Sequence, residues 1–158
     1  VTVPRTLSVS EEHTYEPKAD IVWREDAKGD RYAQVQAIME DAIKKGASGL
    51  HGPRAVTLAV TMSRFHAMTF EAESISFDVG VHNIDFTAQV FDARTGEALT
   101  SPEFIDAAFP AMSGATMAQA RAAGQSQRSQ IKAHVASTIA GWLGTGPDPR
   151  MSFVRAGN

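Results

Sequence analysis

The 158-residue chain contains no cysteine. That one absence excludes disulfides, thiolate zinc sites, iron–sulfur clusters and thiol nucleophiles together. It does not decide the redox compartment, because disulfide-free proteins occur in the envelope and the cytosol alike. Long apolar runs are missing too, and none reaches the roughly 18 residues that mark a membrane-spanning helix. Blocks of positive charge are absent: the net charge is −3 and the longest basic run is Lys44-Lys45. This argues against a nucleic-acid groove driven by counterion release and against a polybasic membrane patch. No G-x-S-x-G, P-loop, G-x-G-x-x-G or N-x-S/T pattern occurs, so the common nucleophile, phosphate and glycan signatures are missing.

What remains is the composition of a folded domain, with 43% hydrophobic and 21% charged residues. A chain of this size buries roughly 70% of its unfolded surface, enough for one core. Residues 1–146 read as a single α+β domain and 147–158 as a C-terminal tail. The chain begins at Val1 rather than Met, which is compatible with a signal peptide ahead of it.

Along the chain, Val3, Leu7 and Val9 share one parity, so Thr2 to Ser10 is predicted as a strand. Ile21-Val22-Trp23 is a short apolar patch beyond a polar loop. Tyr32, Val35, Ile38, Met39, Ala42 and Ile43 then recur at three- and four-residue spacing, an amphipathic helix capped by Asp30 or Asp26. Lys44 and Lys45 suit its last turn, and Gly46 suits a left-handed C-terminal position. Val56, Leu58, Val60 and Met62 alternate with small or polar residues, as do Ile84, Phe86, Ala88 and Val90. These are two strands with one apolar face each. Pairing Met62 with Phe86 and Leu58 with Val90 puts both apolar faces on one side, and shifts of two residues serve equally. The long connection from Met68 to Gly80 is expected to extend them as a ribbon. Asp92 to Gly96 reads as a type I turn closed by a left-handed glycine. Glu97 to Phe109, with Pro102 inside it, reads as an edge strand. A second helix is predicted from about Thr116 to Leu143, its stripe formed by Met117, Ala120, Gly124, Gln127, Ile131, Val135, Ile139 and Trp142.

The order β-α-β-β-β-α predicts a two-layer sandwich: a mainly antiparallel sheet of about four strands with two helices on its apolar face. The other face would carry Thr57, Thr61, Ser63, Asp85, Thr87, Gln89 and Phe91, a candidate docking surface.

Few residues invite chemistry. His66 and His82 flank the long connection with the parity of the apolar face. With Glu71, Glu73 or Asp78 they are the one candidate for a His/His/carboxylate metal site. Their spacing matches no short metal motif, and a structural or surface pair of histidines is the competing reading. Arg24, Glu25, Asp26, Asp30 and Arg31 cluster before the first helix. Carboxylates there ordinarily cap the helix; the alternative is an acid/base pair in a cleft. Trp23 beside Arg24 is either an interface anchor or a lid on the core.

Several stretches resemble a known family. Ala19-Asp20-Ile21-Val22-Trp23-Arg24, Gly29 to Val35, Arg64 to Thr69, Val81-His82-Asn83-Ile84 and Asp92 to Gly96 are similar to an uncharacterised alphaproteobacterial family, domain of unknown function 6778. The likeness runs from about Leu7 to Leu143. It implies an exported protein of the periplasm or outer membrane, with a lipoprotein-type signal and a lipid anchor ahead of Val1. It supplies no activity and no site residues. The layout is also similar to small assembly lipoproteins of the Gram-negative envelope, which is analogy of fold alone.

The resulting expectation is a non-enzymatic envelope domain that binds an envelope protein, with no cofactor, no metal and no nucleic acid. Its expected contact residues are Trp23, Arg24, Phe65, His66 and His82. The alternative is a small-ligand or metal-binding domain using the His66/His82 end. An enzyme built on Glu25, Asp26 and Asp30 stands last, because no nucleophile or paired base accompanies them.

Overall fold

The structure is a computed structural model that describes residues 1–75 and 80–152. In chain order the elements are β1 (Ile21–Val22), α1 (Arg31–Gly46), β2 (Val56–His66), α2 (Phe70–Glu73), β3 (Val81–Asp92), β4 (Glu103–Asp106), β5 (Phe109–Pro110), α3 (Gly114–Ala122) and α4 (Gln127–Trp142). Short 3-10 turns follow α1 and α4. The sheet runs β1-β2-β3-β4, and β5 continues the β4 edge along β3. β1 lies parallel to β2 and the other pairs are antiparallel, so the sheet is mixed. The class is α+β, as the periodicities predict.

The core lies between the sheet and the pair α1/α4. Val35, Ile38, Met39 and Ala42 of α1 meet Ile131, Val135 and Ile139 of α4 over Val60, Met62, Ile84, Phe86 and Ile105. Each large aliphatic or aromatic side chain buried this way contributes about 1.5–3 kcal/mol. Met62 opposes Phe86 and Leu58 opposes Val90, one of the registers that the alternation allows.

Helix α1 begins where the sequence places it. Asp30 caps it by accepting from the Ala33 amide, and its carboxylate also holds Arg5 at 2.8 Å. Its end differs from expectation. Gly46 is right-handed, at φ −63°, and the chain winds on into a 3-10 turn. This glycine serves contact, not reversal: a Cβ there would lie 2.5 Å from the Ala136 carbonyl and 2.8 Å from Ile139 Cβ. It lets α1 and α4 approach at their crossing.

The predicted second helix is two helices. α3 closes in a Schellman motif: the Gly124 amide bonds the Arg121 carbonyl and the Gln125 amide bonds the Ala120 carbonyl. Gly124 takes φ +83°, a left-handed conformation that would strain other residues. Ser126 then starts α4 with a capping box shared with Ser129.

Three further expectations are corrected. Thr2 to Ser10 is no continuous strand; only Thr2 and Val9 bridge, to Thr61 and Ile21. Pro4 lacks the amide needed to continue pairing, although Val3 is buried and Leu7 and Val9 pack on the core. The connection after β2 is no ribbon: it coils into α2, capped by Thr69, and residues 76–79 lie outside the described residues. The edge strand is interrupted. After the Asp92–Gly96 turn, where Gly96 is left-handed as expected, only Ala98 bridges β3 before β4 begins beyond Pro102.

The feature that positions the site is a β-bulge. The register of β2 against β3 slips between Met62 and Arg64. Ser63 is the extra residue, so parity inverts after it. Phe65 turns inward opposite Ile84, whereas Arg64 and His66 turn to the helix-free face, opposite Asp85 and Asn83.

Candidate functional site

Of the five residues expected to contact a partner, four are buried. Trp23 and Phe65 have no exposed surface and meet edge to face at 5.8 Å between ring centres. The Trp23 indole donates to Asp26 at 2.7 Å. The Arg24 side chain is 4% exposed and donates to the carbonyls of Ser10, Glu12 and Trp23. His82 is fully buried, on the core side of β3, with its ring 5.0 Å from that of Phe109. Only His66 keeps some exposure, and the bulge sets it on the opposite sheet face from His82.

The two histidines therefore do not converge. Of the carboxylates considered with them, Glu71 pairs with His13 at 3.0 Å and Glu73 with Arg121 at 2.8 Å. Asp78 lies outside the described residues. Among the described residues no group of three His, Asp or Glu side chains is arranged to hold a metal ion.

The acidic cluster before α1 braces the fold. Glu25, with a side chain 10% exposed, accepts from the amides of Gln127 and Arg128, both at 2.8 Å, and pairs with Arg121 at 2.9 Å. It caps α4 from across the molecule, placing a negative charge at a positive helix end. Asp26 receives both Trp23 and Arg128, and Arg128 lies over the Trp23 ring. Gln127, almost wholly buried, donates to Glu73, which also holds Arg121. Loop, α2, α3 and α4 are thus cross-tied by paired charges. Arg31 makes a second tie, bonding Glu11 at 2.7 Å; this contact holds the Glu11 carboxyl below its usual value.

Two concave regions stand out among the described residues. Between the end of α1 and the start of α4, Lys44, Lys45, Arg128 and Lys132 line a groove of about 500 Å³. Two of these cations are already engaged, Lys132 by Asp41 and Arg128 by Asp26. The other region is a pocket of about 380 Å³ where Ser8, Glu16, Lys18 and Asp20 face Arg64 and His66. Asp20 accepts the amide and hydroxyl of Ser8 at 2.8 and 2.7 Å, which holds its carboxyl below the usual range. Burial, and then the Arg64 charge, hold His66 below its ordinary pKa. Nε of Arg64 and Nδ1 of His66 are buried without a hydrogen-bond partner among the described residues.

Arg64 is the residue that sequence reasoning missed. A signal was present: Val56, Leu58, Val60 and Met62 keep period two, and Phe65 then falls three residues on. Met62 and Phe65 can share a face only if the strand holds an extra residue between them.

Away from the pocket the helix-free face is open. Thr57, Ala59, Thr61 and Ser63 are exposed, and Phe91 is partly so. Phe104 of β4, opposite Thr87, is 60% exposed. No helix among the described residues is long and apolar enough to cross a membrane.

These features define an α+β fold, an open mixed sheet with α1 and α4 packed on one face. The chain belongs to a family of unknown function, DUF6778, whose model matches residues 1–158. Among solved structures it is similar to a putative lipoprotein from Caulobacter crescentus CB15, at 17% identity and a TM-score of 0.42. That match covers 75% of this chain and 86% of the other. No curated protein matches.

Proposed function

We propose that the chain is a non-catalytic domain of the cell envelope that docks a protein partner on the helix-free face of its sheet. The observation that carries this reading is Phe104, 60% exposed on the edge strand β4 opposite Thr87. A large apolar ring left on an edge strand suits a partner that adds an extended segment to that edge. The carboxylates that an enzyme would need are engaged as caps and ion pairs, which supports a binding role. The contact surface shifts accordingly from the buried Trp23, Arg24, Phe65 and His82 to Phe104 and Phe91. The envelope location rests on the family likeness and is part of the proposal.

The test is cell fractionation of the native full-length protein, followed by cross-linking mass spectrometry in the fraction that holds it. The reading expects envelope recovery and cross-links at β4 and the open face that are lost in Phe104→Asp. Cytosolic recovery, or cross-links indifferent to Phe104→Asp in a folded variant, would overturn it.

A further inference from the structure

We propose that the pocket beside the β2 bulge binds a small organic monocarboxylate, gripped by the guanidinium of Arg64 with Lys18 and His66 beside it. The pocket exists because of the bulge. The extra residue Ser63 sets Arg64 and His66, two residues apart on one face, on the helix-free side of the sheet, so their side chains leave the strand roughly 7 Å from each other. The segment Glu16 to Asp20 closes over them.

Arg64 stands apart from the other arginines of this region. Arg24, whose Nε is likewise unpartnered, has both terminal nitrogens on backbone carbonyls, and Arg31 is taken by Glu11, Gln34 and backbone carbonyls. Arg64 makes no ion pair or hydrogen bond among the described residues through its guanidinium, although its Nε is buried. Asp20 of the pocket wall feels the Arg64 charge but makes its hydrogen bonds to Ser8. A half-buried planar cation with an unused fork matches a carboxylate, which accepts two parallel N–H bonds. His66 lines the same wall, held against the Ala19 backbone with its Nδ1 buried and unpartnered, so its ring reports on what enters the pocket.

Size and charge narrow the class. A volume of about 380 Å³ lies near the lower end of the ~300–1,000 Å³ typical of ligand pockets, which fits a molecule of a few carbons. Glu16 and Asp20 on the wall oppose a second negative charge. Singly charged carboxylates, amino acids among them, are therefore favoured over sulfate or phosphate.

The experiment follows the His66 ring resonance by NMR in the full chain, assigned with His66→Gln. Sodium acetate, glycine and sodium sulfate are titrated at constant ionic strength set by chloride. The expected result is a saturable His66 shift with acetate or glycine and none with sulfate. In Arg64→Gln the affinity should fall by roughly ten-fold or more, the loss expected for a hydrogen-bonded charge. Arg64→Lys keeps the charge without the fork and should also bind more weakly, which preserves the test if the glutamine variant does not fold. No saturable shift with either carboxylate, an equal response to sulfate, or unchanged affinity in a folded Arg64 variant would each overturn the proposal.

Discussion

Lowering the pH from 7 to 5 should destabilise this protein through one ring, that of His82. The ring is fully buried and neither nitrogen has a hydrogen-bond partner among the described residues. Its neighbours are Phe109 at 5.0 Å, which stacks on His134 at 4.2 Å, and it feels the charges of His134 and His66. Burial foremost, then those two charges, pushes its pKa from 6.5 down to about 3. A histidine that protonates more readily when unfolded makes the unfolded chain take up protons first. Stability is then full above about pH 6.5 and is lost progressively as the pH falls toward 3. The slope approaches about 1.4 kcal/mol per pH unit, so the step from pH 7 to 5 costs about 2 kcal/mol through His82 alone. His66 and His134 are displaced in the same direction by burial and steepen the same curve. The assay is therefore a difference: urea unfolding of the wild type and His82→Leu at both pH values. Leucine removes the titrating ring and keeps an apolar filling, so at pH 7 the variant should lie within about 1.5 kcal/mol of wild type. Between pH 7 and 5 it should lose about 2 kcal/mol less than wild type. Equal losses in the two proteins would refute the burial of an unprotonated ring at this position.

Three other perturbations probe the frame. Gly46→Ala should destabilise by about 1–3 kcal/mol in urea unfolding, because the new Cβ collides with the backbone of α4; a neutral effect would mean that the helices do not cross so closely. Glu25→Ala should cost about 2 kcal/mol in the same assay and lower amide-exchange protection in the first turn of α4, since it uncaps Gln127 and Arg128. Unchanged exchange there would refute the long-range cap. Deleting Ser63 should be tolerated, costing no more than about 1.5 kcal/mol in urea unfolding, because Met62, Arg64 and Phe65 then alternate without interruption against Phe86, Asp85 and Ile84 and Phe65 stays in the core. A loss of about 3 kcal/mol or more, the cost of turning Phe65 out of the core, would show that Ser63 is not the extra residue of the strand.

Local patterns carried much of the fold into view. The cap at Asp30, the apolar stripe of α1, the alternation of Val56 to Met62 and Ile84 to Val90, and the left-handed Gly96 are short-range features that a few residues specify. The break between α3 and α4 was also written locally, in Gly124 followed by Ser126 and Ser129, but the apolar stripe runs across it and hides it. The candidate site was far less legible. Assigning His66 and His82 to one face assumed an unbroken strand, and a single inserted residue reverses that assignment for everything beyond it.

The sequence by itself determined the class of the fold, the faces of its long strands and the first helix, because periodicity and capping act within a few residues. Only the tertiary structure decided the rest. Gly46 is required by a helix that arrives ninety residues later, and Glu25 caps that helix from more than a hundred residues away. Which arginine stays unmatched depends on where every other charge finds its partner. Such contacts follow from the docking of whole elements, whose geometry is set by the packing of the core and not by the residues on either side of the contact.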